Sequence, residues 1–331
     1  MPGVLLVGLV ACALAVACES ASSPTDSSSA AGDPPPRWLD DTTAPPPALL
    51  SGVGLFDAVA TRAVRADLAL YTPRFPLYSD GLDKERLVYL PPGAAIDPTG
   101  PTWTFPVGTV FAKTFVEGGT PIESRLLFRR ADAWAYAAYA WRADGSDADL
   151  LEGNAGNWAA LPVTTPTGAT HDIPSRLDCR SCHETHAEVA GHPVLGVSAL
   201  QVDAAFAASA AFATPPAVVN VEGRTPAETV ALGYFVGNCL SCHTGGEATN
   251  ASFSLAPSDA ITTTVNVPTE SETGEGIRVV PGDPEASVLF VSVVLARRPD
   301  YEGPFKAMPP VGSRSSDPTI EAPLRAWIEG L

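Results

Sequence analysis

Two short stretches of the chain combine the residue types and the spacing that covalent haem attachment requires. They read CRSCH at residues 179–183 and CLSCH at residues 239–243. In such a Cys-x-x-Cys-His sequence the two thiols add across the two vinyl groups of one porphyrin, and the His after the second Cys can bind the iron. The chain is therefore predicted to bind two c-type haems. The residues predicted to hold them are Cys179, Cys182, His183, Cys239, Cys242 and His243.

Two other kinds of site also use pairs of cysteines. A structural zinc site can be built from two Cys-x-x-Cys pairs, but it does not require a His after each pair. A thioredoxin-like redox motif needs neither the His nor a second copy. The chain has six Cys, two in its N-terminal leader and four in the motifs, so none remains for a disulfide. This distribution favours two haems.

Met308 is the predicted second axial ligand of the iron in the second haem. Met308 and Met1 are the only two Met residues, and Met308 lies in the sequence KAMPP at residues 306–310. A thioether opposite a His raises the reduction potential, which suits an electron carrier. Four basic residues surround this loop, and they indicate either a rim that steers an acidic redox partner or ordinary surface charge. They are Arg297, Arg298, Lys306 and Arg314.

The first motif has no Met near it, so the second ligand of its iron must be another residue or be missing. His186 lies three positions after His183 and, on a helix, points from the same side of the porphyrin. His171 and His192 could approach from the other side, and the sequence favours His192. A five-coordinate iron is the alternative, and this point separates an electron carrier from an enzyme.

The N-terminal residues predict export and a lipid anchor. Residues 1–17 are apolar, carry no charge and are too short to span a bilayer, which is typical of a signal peptide. The sequence AVAC at residues 15–18 predicts a lipoprotein in which Cys18 carries the lipid, and a plain secretory signal is the alternative. Residues 18–50 are rich in Ser and Pro and predict a disordered linker.

Charge and composition narrow the partners and the location. The 331 residues carry a net charge of -17, which argues against nucleic acid and against anionic membrane surfaces as partners. A hydrophobic content of 45% is enough to build a core. Together with the leader, this predicts an exported protein of the bacterial cell envelope, on the periplasmic side or as an outer-membrane lipoprotein.

The rest of the chain is predicted to be β-rich first and mainly α-helical later. A β-rich domain covers residues 51–170, begins with a helix over residues 51–70 and continues as a small antiparallel sandwich or barrel. A first haem-binding segment covers residues 171–225, and a small cytochrome domain covers residues 226–331.

The predicted strands of the β-rich domain follow the alternation of apolar and polar residues. They cover Arg86–Leu90, Thr109–Val116 and Glu123–Arg129. Aromatic residues at positions 134–141 predict a further strand with a bulge, because their spacing slips by one residue. These aromatic side chains are interpreted as sheet core rather than as an electron relay or a sugar-binding platform.

Three helices are predicted in the small cytochrome domain. Thr225 as N-cap and Pro226 in the first turn begin a helix that runs into Cys239. A second helix covers Val288–Ala296. The last helix begins at Asp317-Pro318 and carries an apolar stripe that ends in Trp327 and Ile328. The first and last helices are expected to pack together beside the haem.

Several stretches resemble bacterial dihaem c-type cytochrome lipoproteins, in which a β-rich N-terminal region precedes two Cys-x-x-Cys-His motifs. They are FPLYSDG at 75–81, FPVGTVFAKTF at 105–115, IESRLL at 122–127 and IPSRLDC at 173–179. The segments PGDPEAS at 281–287 and MPP at 308–310 resemble class I cytochromes c. The resemblance implies two haem c groups, His243 and Met308 as iron ligands, and a class I-like domain over residues 226–331. It also implies a redox protein partner, for which a neighbouring parallel β-helix protein is a candidate.

These observations predict an electron carrier that passes electrons between two covalently bound haems and a redox partner. The alternative is a dihaem enzyme of the peroxidase or oxidase kind, in which an open first haem cleaves peroxide. Glu184 and Glu188 lie next to the first motif, but both could be solvated, so no catalytic residue is predicted.

Overall fold

The computed structural model describes Gly3 and residues 37–100, 102–152, 158–185, 193–245, 252–270 and 274–331. Residues 37–331 form a single unit, and the description below concerns this unit. The predicted signal peptide, Cys18 and most of the predicted linker lie outside the described residues. In the part of the chain that is described, no helix is both long and apolar enough to cross a membrane.

A six-stranded antiparallel sheet forms the centre of the fold. The strands of the chain are β1 (Phe56–Ala58), β2 (Ala63–Val64), β3 (Leu68–Leu70), β4 (Asp83–Tyr89), β5 (Val110–Glu117), β6 (Thr120–Arg129), β7 (Trp134–Trp141), β8 (Ala148–Leu150), β9 (Leu161–Thr164) and β10 (Thr170–Ile173). Strands β3 to β8 pair in sequence order, while β1 pairs with β2 and β9 with β10. The predicted β-rich, antiparallel region is therefore confirmed. Its main sheet is open, with β3 and β8 at its edges.

Three predicted strands are confirmed as β4, β5 and β6, but the predicted helix over residues 51–70 is wrong. This segment forms two 3-10 turns, Leu50–Val53 and Val59–Thr61, and the short β1–β2 hairpin. Gly54 and Arg62 explain the error, since their φ angles of 88° and 51° lie in the left-handed region and end each turn. The apolar spacing alone did not reveal these two breaks.

Both faces of the sheet are buried, and neighbouring residues of each strand point to opposite faces. We call the face that carries Val88, Phe111, Leu127 and Tyr136 the motif face. The opposite face, which carries Tyr89, Val110 and Phe128, is covered by the N-terminal segment, and we call it the N-terminal face. Because both faces are buried, apolar residues, many of them aromatic, occupy consecutive positions along the central strands.

The aromatic residues of β7 follow this alternation without the predicted bulge. Tyr136 packs on the motif face, while Tyr139 and Trp141 pack on the N-terminal face. Strand β7 keeps an uninterrupted register with β6. A shift in register occurs instead between β5 and β6, at Phe115 and Val116. The interpretation of the β7 aromatics as sheet core is confirmed.

The N-terminal segment covers its face with aromatic contacts and backbone hydrogen bonds. The ring of Trp38 meets Phe128 edge-on, with centroids 4.8 Å apart. The Tyr139 hydroxyl donates a hydrogen bond of 2.9 Å to the carbonyl oxygen of Pro47. Leu50 and Leu55 are fully buried in the same cluster. Trp38, Leu39 and Leu50, which lie in the segment predicted as a disordered linker, are therefore folded and complete the core of the sheet.

The motif face is covered by the segment that contains the first Cys-x-x-Cys-His motif. Ile173, Val194, Val197 and Phe206 pack in one cluster with the sheet residues of this face. The segment has too few apolar residues to build a core alone, so it depends on the sheet for its burial.

Short helices form the C-terminal part of the described chain. They are α1 (Arg176–Arg180), α2 (Ala204–Ala207), α3 (Pro226–Asn238), α4 (Ala260–Thr264), α5 (Val288–Phe290) and α6 (Glu321–Glu329), with π-helical turns at Ser181–Thr185 after α1 and Val291–Leu295 after α5. The predicted start of α3 is confirmed, because the Thr225 hydroxyl accepts a hydrogen bond of 3.1 Å from the Glu228 N–H. Helix α6 begins later than predicted, but its buried stripe is confirmed and Trp327 meets Phe235 of α3 at 5.7 Å.

Residues 74–80, which we call the strap, connect β3 to β4 and lie against α3. The Asn238 side chain accepts a hydrogen bond of 2.8 Å from the Tyr78 N–H and donates one of 3.1 Å to the Tyr234 carbonyl. Gly237 faces the strap backbone, and a Cβ there would overlap the carbonyl oxygen of Phe75. The close approach of helix and strap therefore requires glycine at this position.

Replacing Gly237 by Ala is expected to destabilise the protein by about 1–3 kcal/mol, because the added methyl group meets backbone that has no rotamer to change. In a helix free of contacts, Ala would instead be favoured by about 1 kcal/mol over Gly. Urea unfolding of the exported protein measures the change. Val230→Ala, at an exposed position of α3, is the control and should stay within about 0.5 kcal/mol. Stability equal to or above that of the parent protein in Gly237→Ala would contradict the contact.

Candidate functional site

The first motif begins in α1 and continues through the π-helical turn that follows. The Ser175 hydroxyl accepts a hydrogen bond of 3.2 Å from the Asp178 N–H, and the Asp178 carboxylate accepts one of 2.9 Å from the Ser175 N–H. This capping box starts the helix directly before Cys179. Positions three apart on a helical turn lie on the same side, so the turn brings the Cys179 and Cys182 thiols to one side.

His183 is held in the orientation that a metal-binding imidazole needs. Its Nδ1 lies 2.6 Å from the carbonyl oxygen of Pro193, and a carbonyl only accepts, so Nδ1 carries the proton. Nε2 is then the nitrogen with a free lone pair, and backbone carbonyls commonly orient iron- and zinc-binding His in this way. Burial lowers the pKa of His183 to about 4, so the ring is neutral. Its ring centroid lies 5.8 Å from that of Tyr136 on the motif face.

The second motif follows α3 without interruption. Cys239 is the C-cap residue of that helix, and the N–H groups of Cys242 and His243 both donate to its carbonyl oxygen, at 3.0 and 2.9 Å. The His243 ring lies 4.4 Å from the ring of Phe253. Burial raises the pKa of Cys239 to about 12. The motif thus lies at the buried end of a helix that packs against α6 and the strap.

The two motifs meet at their second cysteines. The thiols of Cys182 and Cys242 lie close enough to interact, and Cys242 raises the pKa of Cys182. All four motif cysteines are free thiols. Residues separated by sixty positions in the chain are therefore neighbours, and the spacing of the motifs gives no sign of this contact.

Met308 lies at the border of the same C-terminal core as Cys239 and Leu240. Its N–H donates a hydrogen bond of 2.9 Å to the Ser292 carbonyl, and its own carbonyl accepts one of 2.8 Å from Arg297. Arg297 also donates to the carbonyl of Pro309. The loop that carries the predicted ligand is thus held by its backbone.

Three of the four basic residues around the Met308 loop serve the fold. Arg297 binds the backbone of the loop, Arg298 forms an ion pair of 2.9 Å with Glu321, and Arg314 forms one of 2.6 Å with Asp172. The loop therefore presents less free positive charge to a partner than the sequence indicated.

His171 is buried in β10, with a carboxylate on each ring nitrogen. Nδ1 lies 3.1 Å from Asp80, and Nε2 lies 3.0 Å from Glu123, which also binds Arg125. With both nitrogens bound, His171 has none to offer an iron, so its prediction as an alternative ligand is wrong. The sequence did not indicate this cluster, because its acids lie about 90 and about 50 residues from the His. His186 and His192 lie outside the described residues.

Among the described residues, no group of three or more His, Cys, Asp or Glu side chains is arranged to hold a metal ion. A c-type haem does not need such a group, because the protein supplies one or two ligands to each iron. No protein-family model, curated protein or solved structure matches the chain.

Replacing His171 by Gln should remove a pH-dependent part of the stability. Burial lowers the pKa of His171, and the charge of Arg125 lowers it further. The Asp80 and Glu123 carboxylates raise it by more, so the pKa of His171 is raised overall. A His with a raised folded-state pKa stabilises the fold fully below its unfolded pKa of about 6.5, and this stability is lost as the pH rises through the folded-state pKa.

Unfolding free energies at roughly pH 6 and roughly pH 9 measure this effect. The difference between the parent protein and His171→Gln should be larger at the lower pH. The pKa values of Asp80 and Glu123 are lowered, so both stay ionised over this range and add no slope. Thr170→Ala changes an exposed neighbour and is the control. Its unfolding free energy should change with pH as that of the parent protein does. A difference that is equal at the two pH values would show that His171 is not charged in the fold.

Proposed function

We propose that this protein is a dihaem c-type cytochrome that transfers electrons in the bacterial cell envelope. The main support is the meeting of two Cys-x-x-Cys-His motifs in one folded unit, at Cys182 and Cys242. Electron transfer between two haems requires that they lie close together, and haems bound through neighbouring cysteines would do so. The redox partner is a second protein, for which a β-helix protein is a candidate.

Each motif offers the side chains that a covalent haem needs. When bound, haem supplies a one-electron couple at iron. The Cys pairs would fix each porphyrin, and His183 and His243 would bind the irons from one side. The hydrogen bond from His183 to Pro193 supports this role, since it leaves Nε2 available. Met308 would be the second ligand at the second motif.

In this proposal residues 226–331 act as a class I-like cytochrome c domain. Helix α3 leads directly into the second motif, and Trp327 of α6 packs against Phe235 of α3. The proposed lipid anchor at Cys18 would keep the protein at a membrane surface, and the acidic chain would suit a partner other than nucleic acid.

The exported protein should contain two covalently bound haems per chain. A pyridine haemochrome spectrum, divided by the protein concentration, counts the haems, and haem staining of a denaturing gel shows that they are covalent. Replacing both cysteines of one motif by Ala, at 179 and 182 or at 239 and 242, should reduce the count to one. Ser181→Ala within the first motif is the control and should keep two. A chain without haem after export by a competent host would refute the proposal.

A peroxidase-like activity at the first haem is a second candidate, and one observation favours it. His171 has both nitrogens bound to carboxylates. Among the described His and Met residues, none then remains as a second ligand for the first iron. An iron with an open position could bind peroxide, whereas a carrier has both irons six-coordinate.

Carbon monoxide added to the reduced protein separates the two candidates. For the electron carrier the absorption spectrum should not change, because both irons are six-coordinate. Met308→Leu should open the second iron, change about half of the haem absorption and lower one reduction potential. Lys306→Gln in the same loop should behave like the parent protein. A change in about half of the parent's absorption would indicate an open first iron and direct the next assay to peroxide.

A further inference from the structure

The motif face of the sheet carries a row of basic residues. Arg86 on β4, Lys113 on β5 and Arg125 on β6 lie side by side in register. Lys84 lies two residues before Arg86 on the same face. We call these four residues the cation cluster. Such a group on an inner face of the sheet is unexpected in a chain with a net charge of -17.

Most of this positive charge has no acidic partner among the described residues. Arg125 pairs with Glu123. Arg86 is only 7% exposed, and its guanidinium donates a single hydrogen bond of 3.4 Å, to the carbonyl of Lys84. Within the same described part of the chain, Lys113 makes no hydrogen bond or ion pair. Because a cation with too little counter-charge is costly to bury, an anion bound beside the cluster would stabilise it.

Stacking on an aromatic ring compensates only part of this cost. The charged groups of Lys113 and Arg125 lie 4.9 and 4.2 Å from the ring centre of Phe115, which is fully buried. A cation–π contact does not satisfy the N–H donors of an ammonium or a guanidinium. Burial lowers the pKa of Lys113 well below its usual value, the neighbouring cations Arg125, Arg86 and Lys84 lower it further, and Glu123 offsets only part of this.

The cluster lies beside the first motif. The His183 ring contacts Tyr136 on β7. Ala138 lies two residues further along the same strand, about 7 Å from Tyr136, and pairs with Arg125 of β6. Cys179 packs against the same face of the sheet. A group attached at the first motif is therefore within reach of the cluster.

We propose that Lys113, flanked by Arg86 and Arg125, binds the propionate carboxylates of the haem held by the first motif. This inference rests on the proposed function. Each haem carries two propionates, and charge-assisted hydrogen bonds from Lys and Arg to carboxylates are short and strong. The β-rich region then has a defined role: its motif face forms one wall of the first haem site and neutralises the negative charge of the haem edge.

Redox titration of the two-haem protein tests this proposal through Lys113→Gln. Loss of the cation should lower the potential of one haem and leave the other unchanged, because the propionates are no longer neutralised. Lys113→Arg should restore the potential. Arg142→Gln removes the same charge from an exposed turn and should leave both potentials unchanged. If Lys113→Gln does not fold, Lys84→Gln at the edge of the cluster should give a smaller shift of the same sign.

The pH dependence of the reduction potential distinguishes binding of a propionate by Lys113 from a long-range electrostatic effect of its charge on the haem. If Lys113 holds a propionate, its loss raises the propionate pKa, so the step in potential against pH should move to higher pH in Lys113→Gln. An equal displacement at every pH would mean that Lys113 acts only at a distance, and this would overturn the proposal. So would unchanged potentials. Absence of haem from the parent protein would refute the proposed function instead.

A soluble anion is the other possible occupant of the cluster. The titrations are therefore made in a buffer without carboxylate or phosphate and repeated with added citrate. Potentials that citrate does not change support the haem propionates. A citrate-dependent shift that disappears in Lys113→Gln would show that the cluster takes a free carboxylate, and the proposal would be wrong.

Discussion

The positions of both Cys-x-x-Cys-His motifs depend on how the strap satisfies its backbone hydrogen bonds. The strap passes between the sheet and the C-terminal helices, where a peptide group without a partner is costly. Two amide side chains provide the partners: Gln201 exchanges two hydrogen bonds with Phe75, and Asn238 accepts one from Tyr78. The first amide belongs to the first-motif segment and the second to the helix that precedes Cys239. One segment of backbone thus sets the position of both motifs relative to the sheet.

The last residue of the strap extends this coupling to the charged groups. One carboxylate oxygen of Asp80 accepts hydrogen bonds from the N–H groups of Arg314 and Ser315, and the other binds His171. His171 in turn binds Glu123, next to the cation cluster. The segment after the Met308 loop and the sheet beside the first motif therefore meet at one carboxylate. A change at Asp80 is expected to disturb both proposed haem sites.

Local features of the fold could be predicted from the sequence, and long-range contacts could not. Strands β4 to β6 follow from alternation, and the start of α3 follows from a Thr-Pro cap, because these signals lie within a few residues. The prediction of a helix over residues 51–70 was wrong because Gly54 and Arg62 adopt left-handed φ angles. The contacts between Cys182 and Cys242, and between His171 and its two acids, join residues far apart in the chain. No local pattern encodes them, so the sequence identified the Cys and His residues of the candidate site but not their arrangement.

Net charge describes the surface of this protein and not its interior. The chain is acidic overall, which governs the long-range field that an approaching partner meets. The motif face nevertheless places the buried Arg86 beside the half-buried Lys113 and Arg125, where screening by salt is weaker than at the open surface. A carboxylate bound beside them, as we propose, would interact more strongly with these three cations than with the distant surface acids. The net charge of the whole chain therefore influences which proteins approach it. The positive charge of the motif face influences which ligand can bind there.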